Sequence, residues 1–399
     1  MLHRFARLSA LTAAILFVAG CSDRGAAPVP PSQQIQTASL GANSNQADWP
    51  QLGFDSAHSG LNPFERVLSV TNIPRLKELW TVTAGNFVWS PTEFHGIVYF
   101  GSTDGNVYAV NASTGAKVWK TNVGAASASA PAVVNGSLYV QTDNAVLDLN
   151  AATGLIIWKT THAGGTGSAA VANGIVYVGT NAGNVLALNS LTGAVMWKFN
   201  TGSTNTLSSP AVAGGKVYEG SDSGNLVALD ARTGRSLWTF FSLHNPIFSS
   251  PAVANGKVYI GVTDGFIYAL DADSGSVVWR QTLGGGFSEI LGSPSFDHGV
   301  VFIGNNNGDF AALNAATGSI LWMASQHTNG EIYIGSPAIA NGVVYAAGEG
   351  NQLHVFDSST GSVLKTISAP SNINSSPIVV NGKVYFGNFD HKLHAYGLP

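Results

Sequence analysis

Short apolar runs alternate with polar, glycine-bearing turns along most of this chain, and the alternation repeats. One copy reads Ala252-Val253, Asn255-Gly256, Val258-Tyr259-Ile260-Gly261, Phe266-Ile267-Tyr268-Ala269-Leu270-Asp271, Ser274-Gly275, Val277-Val278-Trp279. The runs are too short for helices and rich in β-branched and aromatic residues, so they predict strands. Proline before the first run suits a strand start, where its missing N–H breaks no ladder bond. Asn-Gly suits a type I′ hairpin, whose two central residues both need positive φ. Polar and apolar positions alternate only loosely, as expected of sheets covered on both faces.

Two independent markers carry the same period. The hairpin glycines are Gly96, Gly136, Gly174, Gly215, Gly256, Gly299, Gly342 and Gly382, at spacings of 38 to 43. The closing aromatics are Trp80, Trp119, Trp158, Trp197, Trp238, Trp279 and Trp322, with Lys365 in the eighth place. A period near forty made of four short strands predicts an all-β chain: an eight-bladed β-propeller with four-stranded blades. Each tryptophan would bring roughly 150–250 Å² of surface into the contact between neighbouring blades. The ends of the repeat do not match. Leu79-Trp80-Thr81-Val82 is a fourth strand with no first three, and the unit from Ser376 to Tyr396 has three strands and no fourth. The N-terminal strand is therefore expected to close the last blade and remove an open edge.

The predicted organisation has four parts. Residues 1–20 read as a secretory signal, with Arg4 and Arg7 before an apolar run too short to span a membrane. Val18-Ala19-Gly20-Cys21 resembles a bacterial lipoprotein cleavage box, and Cys21 is the only cysteine of the chain. Residues 21–47 would be a lipidated flexible tether, 48–73 an ordered lead-in along one face, and 74–399 the propeller. Ser22 after the cysteine implies export to the outer membrane, with the propeller in the periplasm. Removing Arg4 and Arg7 leaves 16 basic against 22 acidic residues. With no basic stripe, nucleic acid is not an expected partner.

The form Ala-Leu-Asp/Asn to Trp, as at Ala228 to Trp238, Ala269 to Trp279 and Ala312 to Trp322, resembles the tryptophan-docking repeat of pyrroloquinoline-quinone (PQQ) enzymes and their non-enzymatic relatives. The resemblance covers about Trp80 to Pro399. It implies one of two things. Quinoprotein dehydrogenases stack the quinone against a disulfide of adjacent cysteines, or carry Cys-x-x-Cys-His, and hold calcium with Glu, Asn and Asp from separate blades. The lipoprotein of the outer-membrane β-barrel assembly machinery shares the length, anchor and uniform blades, and its role is scaffolding. The second layout fits better, so the expectation is a non-enzymatic scaffold without cofactor. It would bind envelope proteins on a propeller face and the membrane through its lipid. A PQQ- and calcium-dependent oxidoreductase and a small-molecule or glycan receptor are the alternatives.

Departures from the repeat mark where a ligand would bind. The loops before the opening strands carry Glu289, His327, Glu331, Tyr333 and Asn374 in three consecutive blades, and Trp89 across the closure. Glu289, Glu331 and Asn374 could converge on a cation or ligand, with Trp89 as a stacking wall; solvated loop carboxylates are the alternative. The histidines at 95, 298, 354, 391 and 394 fit no zinc spacing. No Gly-x-Ser-x-Gly elbow occurs. Gly284-Gly285-Gly286 lacks the lysine and helix of a phosphate loop.

Overall fold

A computed structural model describes residues 48–399, apart from 125, 127–128, 162, 207, 285–287, 326–334 and 349. These residues form eight antiparallel sheets of four strands each. Blades 1 to 7 span 92–122, 132–161, 170–200, 211–241, 252–282, 295–325 and 338–368. Blade 8 is built from Ile378–Val380, Lys383–Gly387 and Lys392–Gly397, and its outer strand is Lys77–Thr83. Trp80 lies opposite Ala395, after a bulge at Glu78. The expected closure of the last blade by an N-terminal strand is therefore present. No helix among the described residues is long and apolar enough to cross a membrane.

The local chemistry follows the sequence. Asn255 and Gly256 have φ of 50° and 70°, as the hairpin turn requires. His95 and His298 fill the asparagine place in their own turns, with φ of 51° and 42°.

In the blade interface, alanine opposite tryptophan leaves room for the indole: Ala269 faces Trp279 across one sheet, and Ala228 faces Trp238 across another. The indole then reaches into the following blade. Trp238 Nε1–H donates to the carbonyl of Ala272 at 3.1 Å, and the Tyr218 hydroxyl donates to the same oxygen at 3.2 Å. The ring lies against Gly275, where a Cβ would stand 2.6 Å from it. Trp119 with Tyr99, Trp158 with Tyr139, Trp197 with Tyr177, and Trp279 with Tyr259 repeat the arrangement. Three junctions depart from it: at one, Trp322 Nε1–H donates to the Ser358 carbonyl at 2.8 Å, and Phe302 in the tyrosine place has no hydroxyl to join it. Lys365 Nζ donates to the carbonyl of Pro74 at 3.1 Å. The buried Nε1 of Trp80 has no partner among the described residues, and Tyr385 alone reaches the Ala112 carbonyl.

The Ser-Ser-Pro corner, which the sequence offers only as a strand opening, holds the ring in two directions. The first hydroxyl ties down its own blade: Ser249 Oγ accepts from Gly261 N–H and donates to the Gly261 carbonyl, both at 2.8 Å. The second ties the blade before it. Ser168, Ser209, Ser250, Ser293, Ser376 and Ser90 each accept an N–H from the equivalent corner of the preceding blade, at 2.8–2.9 Å.

Candidate functional site at the ring axis and its mouth

The innermost strand of an open propeller leaves a row of N–H and C=O groups facing the channel. Here the lead-in satisfies them. Trp49 forms an antiparallel bridge with Glu93 of blade 1. The carbonyl of Pro50 then accepts from Val133 N–H of blade 2, and the Gln51 side chain accepts from Val171 N–H of blade 3. The carbonyls of Ser56, Ala57, Ser59 and Gly60 accept from Val212, Val253, Phe296 and Ile339 in blades 4 to 7. Asn62 Nδ2 donates to the Val379 carbonyl of blade 8 at 2.8 Å. The lead-in thus visits the middle residue of every inner strand, in ring order. It does more than run along one face, as the sequence suggested. It takes the place of solvent on the channel wall.

Buried polar side chains support this circuit. The Asp55 carboxylate accepts from Ala57 and Ser59 N–H at 3.0 Å, shaping the turn between blades 4 and 6. His58 Nδ1–H donates to the Pro251 carbonyl at 3.1 Å, and burial pushes its imidazole down to about 4. Glu65 accepts from Val67 and Leu68 with one oxygen and from Gly382 with the other. Glu93 accepts from Gly96 N–H at 2.6 Å. Burial pushes its carboxyl up to about 8, and the nearby Asp48 adds to the rise. The space between Trp49, Leu52 and the corners at Ser90, Ser336 and Ser376, in the sector of blades 7, 8 and 1, is too narrow for a water molecule.

On the opposite side, the structure describes only Glu289, Asn374 and Trp89 of the expected mouth residues. His327, Glu331 and Tyr333 lie outside the described residues, as does Cys21. Glu289 accepts from Asn306 Nδ2 at 3.1 Å, within its own blade's mouth. Asn374 sits in the loop leading to the Ser375-Ser376 corner and is half-buried. Trp89 occupies the place of the first serine in its corner, and its backbone N–H donates to Gly101 at 3.3 Å. Its ring meets Phe389 edge-on at 6.2 Å, while Phe87 stacks on Phe389 at 4.3 Å. These half-buried rings form an aromatic seam between blades 8 and 1. Among the described residues no group of three His, Cys, Asp or Glu side chains is placed to hold a metal ion. The single cysteine of the chain cannot form a disulfide platform of adjacent cysteines.

Sequence reasoning missed Glu93, Asn62 and the circuit they belong to. One signal existed. At the middle of the first strand, where Glu93 stands, the other blades carry Val133, Val171, Val212, Val253, Phe296, Ile339 and Val379.

Comparison with known proteins decides the family. A family model described as outer membrane protein assembly factor BamB matches residues 66–246 and 222–398. The chain belongs to the BamB family. No curated protein matches it. Among solved structures, BamB from Moraxella catarrhalis is similar at 19% identity and a TM-score of 0.68, covering 81% of this chain and 97% of that one. The quinohemoprotein alcohol dehydrogenase from Comamonas testosteroni has 14% identity and a TM-score of 0.75, covering 88% and 80%. The computationally designed Ika8 protein has 18% identity and a TM-score of 0.71, covering 80% and 99%. An assembly factor, an enzyme and a design share this architecture, so these likenesses establish the fold and leave activity to the site. The BamB family match runs across all eight blades and includes the closing strand.

Proposed function

We propose that this protein is a non-enzymatic scaffold of the bacterial cell envelope. It is anchored in the outer membrane by lipid on Cys21 and binds other envelope proteins in the assembly of outer-membrane β-barrels. The observation that carries this reading is the circuit of residues 49–62 around the inner strands. The chain itself occupies the channel wall where a propeller enzyme or receptor would place a small molecule. What remains for recognition is the outside of the ring, and that suits protein partners. Family membership supports the same reading.

Affinity capture of the lipidated protein from cross-linked envelopes tests it. The expected result is reproducible enrichment of a barrel-inserting outer-membrane protein. Capture of no envelope protein would end the scaffold reading. The oxidoreductase reading has in its favour the likeness to the quinohemoprotein dehydrogenase. It predicts calcium-dependent dye reduction with alcohols or sugars after addition of PQQ, and the scaffold reading predicts none.

A further inference from the structure

One corner of the molecule has surface chemistry unlike the rest. Residues 63–77 cross the side of the ring formed by the turns between first and second strands. There the Leu68 carbonyl accepts from Asn341 Nδ2 of blade 7 at 2.8 Å, and Glu65 accepts from Gly382 N–H of blade 8. Phe64 and Val67 are 62% and 52% exposed. Arg66 is exposed between them, and Arg75 and Lys77 are exposed further along the same stretch. The acidic side chains of this stretch are already engaged. Glu65 is buried on three backbone N–H groups, and Glu78 meets His394 at 2.7 Å. The stretch 63–77 therefore exposes two large apolar groups and three cations. A groove of about 380 Å³ opens next to Arg66, with His298 and Asn341 in its wall; Asp297, the acidic group there, is held by His298.

The chain reaches the described structure on this same side. The Asp48 carboxylate accepts from His95 N–H, in the equivalent turn of blade 1, at 3.0 Å. Blade 1 neighbours blade 8 in the ring. The described residues thus begin, at Asp48, one blade away from the turn of blade 8 that Glu65 holds.

We propose that this corner is a lipid-facing surface for an anionic membrane. Phe64 and Val67 enter the headgroup boundary, Arg66, Arg75 and Lys77 meet lipid phosphates, and the groove beside Arg66 receives a headgroup. Apolar insertion and headgroup attraction together give interfacial binding where either alone is weak. The assignment rests on the envelope-anchored reading for its orientation and on the corner's own chemistry for its affinity. It sets the serine corners and the Trp89 seam away from the bilayer, where partners reach them.

The test uses the full chain carrying Cys21→Ser, so that no acyl chain is attached. It is sedimented with vesicles of phosphatidylglycerol and phosphatidylethanolamine. The same chain with Phe64→Ser, Arg66→Glu and Arg75→Glu is compared; the apolar leader is common to both. Each cation near an anionic surface contributes roughly fivefold, so the substituted chain is expected to bind more than tenfold more weakly. Arg66→Lys with Arg75→Lys, which keeps the charge, is expected to bind normally. Equal sedimentation of the substituted and unsubstituted chains overturns the proposal. So does equal binding to phosphatidylcholine vesicles. A substituted chain that loses an acidic protein partner while keeping vesicle binding would assign the corner to that partner instead. The vesicles hold no protein, so the scaffold reading can fail without affecting this result.

Discussion

His394 and Glu78 stand 316 positions apart in sequence, and the imidazole Nδ1 of one lies 2.7 Å from the carboxylate of the other. The pair sits across the two strands that close the ring, with Glu78 two pairs along from Thr81, the backbone partner of His394. The other ring nitrogen faces Asp390 at 3.3 Å, and the imidazole stacks on Phe386 at 5.1 Å. Closure therefore rests on a buried histidine held between two carboxylates as well as on strand pairing.

Replacing His394 with alanine removes both contacts and the stacking surface together. We expect a loss of about 1–3 kcal/mol. The loss should be concentrated at the closure, as early hydrogen exchange in residues 77–83 and 392–397. Glu78→Gln, whose side chain is partly exposed, should cost under about 1 kcal/mol. Uniform exchange across all eight blades in H394A would refute a closure-specific role.

The docked tryptophans give a second prediction. Trp238→Ala removes an indole and the hydrogen bond to Ala272, and should cost about 3–5 kcal/mol. Trp238→Phe keeps most of the ring and loses the N–H, so about 1 kcal/mol is expected. Gly275→Ala places a Cβ 2.6 Å from the same ring at a φ of 72°, and should be as harmful as the alanine variant of the tryptophan. Urea unfolding of the three variants checks the order.

The propeller was legible because its markers are side chains that the architecture cannot do without. A type I′ turn needs Asn-Gly or an equivalent, and the interface needs the indole, the alanine opposite it and the glycine beneath it. The circuit of 49–62 was not legible, because it is made mostly by backbone carbonyls, which every residue has. Only Glu93, an acid among valines, betrayed it. The serine corners were half-legible. The Ser-Pro spacing was visible, but a hydroxyl reaching the preceding blade leaves the same letters as one facing water. At the mouth, departure from the repeat located variable loops correctly. The convergence expected of Glu289, Glu331 and Asn374 falls partly outside the described residues, and within them Glu289 has Asn306 close by.

Acid–base behaviour should follow two buried groups of the axis. Glu93 is pushed up to about 8 by burial, so the folded state keeps a proton that the unfolded chain releases above its ordinary value of 4.5. Stability is then lost as pH rises from that value through about 8. His58 is pushed down to about 4 from 6.5, so the unfolded chain takes up a proton first and stability is lost as pH falls through that window. Each contributes a slope of at most about 1.4 kcal/mol per pH unit. The two oppose each other between 4.5 and 6.5; above that Glu93 acts together with the buried Glu219, whose carboxyl is also pushed well above its ordinary range by burial. Glu93→Gln should flatten the decline between pH 6.5 and 8 in denaturant midpoints, and His58→Gln the decline below 6.5. An unchanged alkaline slope in E93Q would mean that Glu93 is ionised in the folded protein.

The lead-in is the part of the fold most open to a decisive single change. Gly60 has a φ of 69°, and its carbonyl accepts from Ile339 N–H. A Cβ there would lie 2.2 Å from Ser295 Oγ and 2.9 Å from the Pro337 carbonyl. Neither neighbour can withdraw freely, because Ser295 Oγ itself donates to the Pro337 carbonyl at 2.6 Å. Gly60→Ala should therefore lift the segment from blades 6 and 7, leaving the Phe296 and Ile339 N–H groups to water or to nothing. Two such groups and the backbone strain together predict a loss of roughly 2–5 kcal/mol. The blades themselves keep their docked tryptophans, so far-ultraviolet dichroism should change little. Limited proteolysis should instead cut between Gly53 and Asn62, a stretch protected in the parent. If G60A is as resistant as the parent and melts at the same temperature, the circuit is not held at blades 6 and 7. The axis would then be free to take a ligand, and the case for recognition on the outside of the ring would weaken with it.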